Sequence, residues 1–294
     1  MNMFSISQLE QYSGIKAHTI RIWEKRYNAL KPLRSEGNTR YYDNSQFRRL
    51  LNISSLINSG YKVSELCRMT DLQLFKQIEK NLNSYLGQDD IEHYSISQLI
   101  TAGILFDENH FDKIFSHCLL RYNLKTIYIK IIYPMLDRIG LMWASDALPP
   151  AQEHFISNLI RQKFSSAIDL VPKTSSPKGS WLLFLPENEF HEIGLLFAHY
   201  LIKISGKKVY YFGANVPNEN LTQTIKIINP DNLLFFLVHY DRPENAQQYV
   251  NSLIRNFKKQ KIHIAGNKNL IENLSLGKEI KWHQSIEDFE RELS

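Results

Sequence analysis

The pattern that most constrains the fold begins near residue 180. From there, strand-length apolar runs alternate with helix-length amphipathic stretches. Residues 181–185, 208–212, 232–238 and 261–265 read as buried strands, and 279–282 offers a fifth. Residues 192–205, 218–228 and 243–257 carry helical spacing between them. A strand apolar on both faces needs cover on both sides. Regular strand–helix alternation therefore predicts a Rossmann-like, doubly wound parallel sheet over residues 180–294.

Upstream the pattern is different. Residues 169–179, Asp-Leu-Val-Pro-Lys-Thr-Ser-Ser-Pro-Lys-Gly, form a Pro/Ser/Lys linker. Residues 71–168 read as a helical bundle, with apolar spacing near 3.6 through 72–86, 91–105, 111–124, 127–143 and 152–164. Pro149-Pro150 breaks the pattern before the last helix. Residues 1–70 hold shorter amphipathic segments with turns at Ser13-Gly14, Asn28 to Pro32 and Glu36-Gly37-Asn38. A length of 294 residues suits three such parts. Two cysteines, Cys67 and Cys118, cannot make a disulfide framework. The first residues lack a basic segment followed by an apolar stretch. The longest apolar runs fall far short of the ~20 residues a membrane helix needs. A cytoplasmic chain without membrane contact is expected.

The formal charge of +5 is unevenly distributed. Residues 1–68 hold eleven Lys and Arg against five Asp and Glu, a surplus of six, so the remainder is near neutral. Such asymmetry points to nucleic acid or membrane contact by the basic part. A helix over 17–27 sorts its residues by face. Ile20, Trp23 and Tyr27 share one side, while His18, Arg21 and Lys25 lie nearly opposite. A helix that enters the major groove of double-stranded DNA needs that division. Residues 33–42 form a hairpin-like wing with Gly37 near its tip, from which Arg34, Arg40 and Tyr41 reach toward phosphates.

Ile6-Ser7-Gln8-Leu9, Gly14, Thr19-Ile20-Arg21, Trp23-Glu24, Arg26-Tyr27 and the wing Gly37-x-x-Arg40-Tyr41-Tyr42 resemble the winged helix-turn-helix of the MerR family of transcriptional regulators. The resemblance implies a homo-oligomer on promoter DNA. It implies contacts from His18, Thr19, Arg21, Lys25, Arg26, Arg34, Arg40 and Tyr41. That family continues into a long coiled coil; the segment 71–86 is short, so oligomerisation is expected to use the later domains.

In the C-terminal part, Glu189-x-His191-x-x-Gly194 follows the first strand and opens a helix. Ligands bind open α/β sheets at that edge. A histidine there suits a transition metal, and Glu189 can hydrogen-bond its second nitrogen. Position 195 is Leu, so the pattern is not a zincin motif. With Phe212-Gly213-Ala214-Asn215-Val216-Pro217, the motif resembles the cobalamin-binding domain of methionine synthase and related proteins. The resemblance implies His191 as lower axial cobalt ligand, with Glu189, Gly194, Gly213, Val216 and Gly266 in the cofactor site. It also implies that the cofactor's nucleotide tail threads between sheet and helices.

The helical part carries a separate match. Tyr133-Pro134-x-Leu136-x-x-Ile139-Gly140-x-x-Trp143, nine residues, then Glu153-His154 resembles the cap domain of CarH/LitR-type photoreceptors, MerR-family repressors that use adenosylcobalamin. The resemblance implies Trp143 and Glu153 beside the adenosyl group, and His154 as upper cobalt ligand after photolysis. Two positions depart from the cobalamin pattern. The run 235–239, Phe-Phe-Leu-Val-His, lacks the Ser that faces the tail, and Ala265-Gly266-Asn267 keeps one glycine of two. The expected function is a DNA-binding repressor with a cobalamin sensor, acting through light and oligomeric state as a dimer or tetramer. The alternative is the same architecture working without cobalamin, under control of a partner or protein level. An enzyme is not expected. The three parts leave no room for the separate catalytic barrel that corrinoid modules serve, and no nucleophile–base–acid set stands elsewhere in the chain.

Overall fold

The computed structural model describes residues 3–35, 37–58, 60–74, 76–77, 88–144, 149–175, 177–239 and 243–294. The chain forms two compact units, Met1–Asn158 and Leu159–Ser294.

The first unit opens with α1 (Ile6–Ser13) and α2 (Ala17–Tyr27). Ser5 and Gln8 form a reciprocal capping box at α1, which satisfies two backbone donors. Gly14 ends α1 at φ +72, a conformation few other residues adopt without strain. Lys16 supplies no side-chain cap to α2. Glu10 reaches across the turn instead and accepts the Ala17 N–H at 3.1 Å. Strands β1 (Leu33–Arg34) and β2 (Arg40–Tyr41) pair antiparallel as the expected wing. A bridge between Phe4 and Tyr42 ties the wing's base to the start of the chain.

Helices α3 (Asn44–Asn58) and α4 (Val63–Leu66) complete this region. The Arg49 side chain stitches it together, donating to the carbonyls of Ala29, Cys67 and Met69 and pairing with Asp71 at 2.6 Å. The helix expected over 72–86 lies largely outside the described residues.

The bundle follows as α5 (Gln88–Ile104), α6 (Glu108–Leu119), α7 (Leu124–Ile127), a π-helical turn (Tyr128–Ile132), α8 (Tyr133–Ala144) and α9 (Pro150–Leu170). Two expected helices are interrupted, each for a local reason. The stretch 111–124 breaks after Leu119, because the Asn123 side chain accepts the Thr126 N–H and starts a new helix. The stretch 127–143 widens into the π turn just before Pro134. Proline has no N–H for the ordinary i−4 carbonyl, and the Tyr133 N–H bonds five residues back to Tyr128. Pro150 sits at the first position of α9, where its missing donor costs nothing. Gly103 on α5 lets Ile156 of α9 lie against the backbone, since a Cβ there would stand 2.1 Å from Ile156 Cγ1.

The second unit is the expected doubly wound sheet. Its strands are β3 (Ser180–Pro186), β4 (Lys208–Val216), β5 (Asn232–Leu237), β6 (Lys261–Gly266) and β7 (Ile280–Trp282). All are parallel, in the order β4-β3-β5-β6-β7. Helices α10 (Ile193–Ile204), α11 (Asn218–Ile228), α12 (Pro243–Asn256), α13 (Lys268–Ile271) and α14 (Ile286–Leu293) connect and cover them. Leu182, Phe184, Leu233, Phe235, Leu237, Ile262 and Ile264 fill one core with residues of α11 and α12. The alternate residues of these strands face the other side, where α10 packs. The order of connection reverses between β3 and β5, and ligands enter sheets of this kind at that crevice.

β4 runs to Val216, past the end expected at 212. Register shifts after Leu183 and Phe184 let it continue, with Gly213 at φ +75 and Asn215 at φ +55. Likewise, α9 runs through Leu170, two residues into the stretch read as linker.

Candidate functional sites

The first candidate surface is the cationic face of α2. Ile20 is fully buried, while His18, Arg21, Lys25 and Arg26 are exposed and Thr19 is intermediate. The helix thus divides its residues as its wheel predicts. The wing is braced against this helix. Glu24 of α2 accepts a hydrogen bond from the buried Tyr42 hydroxyl and pairs with Arg40 at 3.2 Å. Burial first, and then the Glu24 carboxylate, push the Tyr42 phenol well above its usual range, so it stays a donor. Arg40 is therefore oriented by Glu24. Arg34 donates to Asn38 across the wing turn, and Tyr41 is half-buried.

The sequence reading gave no role to Glu24. The signal was its place four residues after Ile20, which sets a carboxylate at the edge of the buried face. It also missed Ile22, which is 50% exposed between Arg21 and Lys25.

The second candidate site lies at the crevice between β3 and β5. Glu189, Phe190 and His191 form the loop after β3. Glu189 is 1% exposed and its carboxylate is fully engaged. Oε1 accepts the Phe190 N–H at 2.9 Å, the His191 N–H at 3.0 Å and the His191 ring Nδ1 at 2.6 Å. Oε2 crosses to the end of β5 and accepts the N–H groups of Val238 at 3.0 Å and His239 at 2.8 Å. Burial alone would raise the carboxyl pKa. The hydrogen bonds from the His191 ring and from backbone N–H groups outweigh it and hold the carboxyl at about 2.

This arrangement fixes the His191 tautomer. Nδ1 faces a carboxylate, so in the neutral ring it carries the proton and Nε2 is the lone-pair nitrogen. The side chain is 61% exposed, at the sheet edge where a ligand arrives. The loop is clasped from β4 as well, because the Asn215 N–H donates to the Glu189 carbonyl and its side-chain oxygen accepts the Asn188 N–H. The sequence reading anticipated the Glu189–His191 bond. It did not anticipate the span to β5, which no local spacing encodes.

The glycines and Val216 have structural partners. A Cβ on Gly194 would lie 2.9 Å from Phe236 Cε1. One on Gly213 would lie 2.8 Å from Glu192 Oε1, which also accepts the Tyr211 hydroxyl. One on Gly266 would lie 2.1 Å from the Leu237 carbonyl oxygen. Val216 belongs to the core beside α11 and α12.

In the first unit, Glu153 and His154 open α9. The His154 Nδ1 lies 2.7 Å from Glu153 Oε2, and the histidine is 74% exposed. Glu153 also accepts the Ser157 hydroxyl. Trp143 falls in the last turn of α8, but its side chain lies outside the described residues.

Tested against a corrinoid, the residues present fit in one half and not in the other. His191, buttressed and exposed, has the chemistry of an axial ligand. The space beside Gly194, where a nucleotide tail would pass, holds the Phe236 ring.

The MerR HTH regulatory-protein family matches residues 4–73, and the B12 binding domain family matches residues 96–167. The HTH-type transcriptional repressor CarH of Myxococcus xanthus is 26% identical over 231 residues, 78% of this chain and 76% of its own. The repressor CarA of the same organism is 26% identical over 253 residues, 85% of this chain and 82% of its own. Among solved structures, the Methanosarcina barkeri monomethylamine corrinoid protein has the same fold over 66% of this chain and 95% of its own, with a TM-score of 0.54 at 14% identity. No described helix is long and apolar enough to cross a membrane. The chain is a DNA-binding transcriptional regulator with a MerR-type helix-turn-helix and a B12-binding domain, homologous to the repressors CarH and CarA.

Proposed function

We propose that this chain is a cytoplasmic repressor whose grip on promoter DNA is set by adenosylcobalamin and light through its oligomeric state, dimer or tetramer. The Glu189–His191 pair carries this reading: a buried carboxylate holds an exposed imidazole in the tautomer a metal needs. When bound, adenosylcobalamin would supply a light-labile cobalt–carbon bond. On the protein side, His191 would be the lower axial ligand, and Gly194, Gly213, Val216 and Gly266 would border the cofactor. Trp143 and Glu153 would line the adenosyl side. His154, whose Nδ1 faces Glu153, would offer Nε2 as a second nitrogen ligand after illumination.

On DNA, several copies of α2 acting together would multiply affinity through effective concentration. His18, Thr19, Arg21, Lys25 and Arg26 would meet the groove and its phosphates, with Arg34, Arg40 and Tyr41 on the wing. Incubation with adenosylcobalamin in the dark, followed by gel filtration, tests this. The protein peak should retain cobalt absorbance, His191→Ala should lose it, and illumination should shift the elution volume. A wild-type peak free of absorbance contradicts the reading.

A second reading is supported by the Phe236 ring beside Gly194: the same regulator, independent of cobalamin and controlled by a partner or by its own level. Operator affinity unchanged by cofactor in dark and light would favour it.

A further inference from the structure

Strand β5 presents Leu233, Phe235 and Leu237 to one core, so Phe236 points to the other side, toward α10. There its ring lies on the backbone of Gly194, in the first turn of α10. A Cβ at Gly194 would stand 2.9 Å from Cε1 and 3.2 Å from Cδ1 of that ring. The gap that a missing side chain leaves at Gly194 is thus filled by the chain itself. It lies directly behind the His191 loop.

The neighbouring strand end is closed as well. Gly266, at φ +132, presses on the Leu237 carbonyl, so its missing Cβ is required by the neighbouring strand. Asn267, where a second glycine would leave room, donates its backbone N–H to Leu237 and its side-chain amide to Val238. Phe236 is half-buried, and its ring would have to move aside before a second aromatic ring could lie on Gly194. In contrast, His191 stands 61% exposed outside this plug.

We infer that this site takes a corrinoid by its metal and macrocycle alone, with the nucleotide tail left outside the protein. The inference rests on the corrinoid reading above. Its consequence is a ligand class: corrinoids without a nucleotide tail, of the cobinamide type, are bound at least as well as tail-bearing cobalamin, whose own base must leave the cobalt before His191 can bind it. A site that enclosed the tail would favour cobalamin strongly, since the tail would contribute contacts that cobinamide lacks.

Equilibrium dialysis of the full chain against hydroxocobalamin and diaquocobinamide, with absorbance spectra of each complex, tests this. The wild type should bind cobinamide at least as tightly as cobalamin, because His191 displaces only water from cobinamide but must also displace the tail's own base from the cobalt of cobalamin. His191→Ala should weaken both alike. Phe236→Ser should open the gap and shift the preference toward cobalamin by about tenfold. Wild-type protein that binds cobalamin about tenfold or more tighter than cobinamide overturns the inference and leaves the corrinoid reading standing. Binding of neither compound by the wild type overturns both. The wild-type ratio decides even if Phe236→Ser does not fold.

Discussion

Glu189 is the residue on which the second site turns. Five N–H groups converge on one carboxylate, three from its own loop and two from the end of β5. Its pKa, about 2 against an ordinary 4.5, makes it a source of stability. Unfolded chains take up this proton near pH 4.5 and folded ones near 2. The stabilisation is therefore complete above pH 4.5 and is lost as pH falls toward 2, to a total of about 3 kcal/mol. Glu189→Gln turns an amide toward backbone donors and should destabilise the protein at pH 7 by roughly that amount. Urea midpoints at pH 7 and pH 3 check this: the gap between wild type and variant should narrow at the lower pH. His263 adds an upper limb to the same curve. Burial, and then the adjacent His283, lower its pKa from 6.5 to about 3. The unfolded state binds this proton first, so stability begins to fall below pH 6.5, and His263→Asn should flatten that part of the profile. Gly266→Ala is a simpler case. The left-handed backbone and the 2.1 Å approach to the Leu237 carbonyl should cost about 2–4 kcal/mol, read as a lower urea midpoint.

At the scale of elements, spacing alone carried most of the information. The helix of residues 17–27, the wing and five strands all follow from periodicity, because each buries one face or stripe against a core. Breaks were harder to read. The π turn before Pro134 and the restart at Asn123 depend on single backbone hydrogen bonds that a 3.6-residue pattern does not register. Of the eleven cations in the first 68 residues, Arg49 is spent inside the fold and Arg40 is held by Glu24, so the DNA-facing charge is smaller than the count suggests. The site was legible to the extent that it is local. Glu189 and His191 are two residues apart, whereas Val238 and Phe236 reach the same crevice only through sheet order. Ser5→Ala removes one half of the capping box and should cost about 1 kcal/mol in thermal or urea unfolding. Arg21→Ala should weaken a duplex selected from a random pool by about 1–3 kcal/mol while changing bulk nonspecific binding little, as checked by fluorescence anisotropy. An equal loss on every duplex would instead make Arg21 a phosphate contact.

For the whole molecule, a basic DNA reader is joined to a near-neutral remainder. DNA binding is a property of residues 4–73, and the B12-binding match falls on 96–167. In the proposed site, the α/β unit would contribute His191. The two halves matter to each other only if ligand at one changes affinity at the other. The direct test is operator affinity, measured on one selected duplex by anisotropy, without cofactor, with adenosylcobalamin in the dark, and after illumination of the same sample. Tight binding is expected only in the dark with cofactor, lost on illumination and absent in His191→Ala. Equal affinity in all three conditions would contradict it.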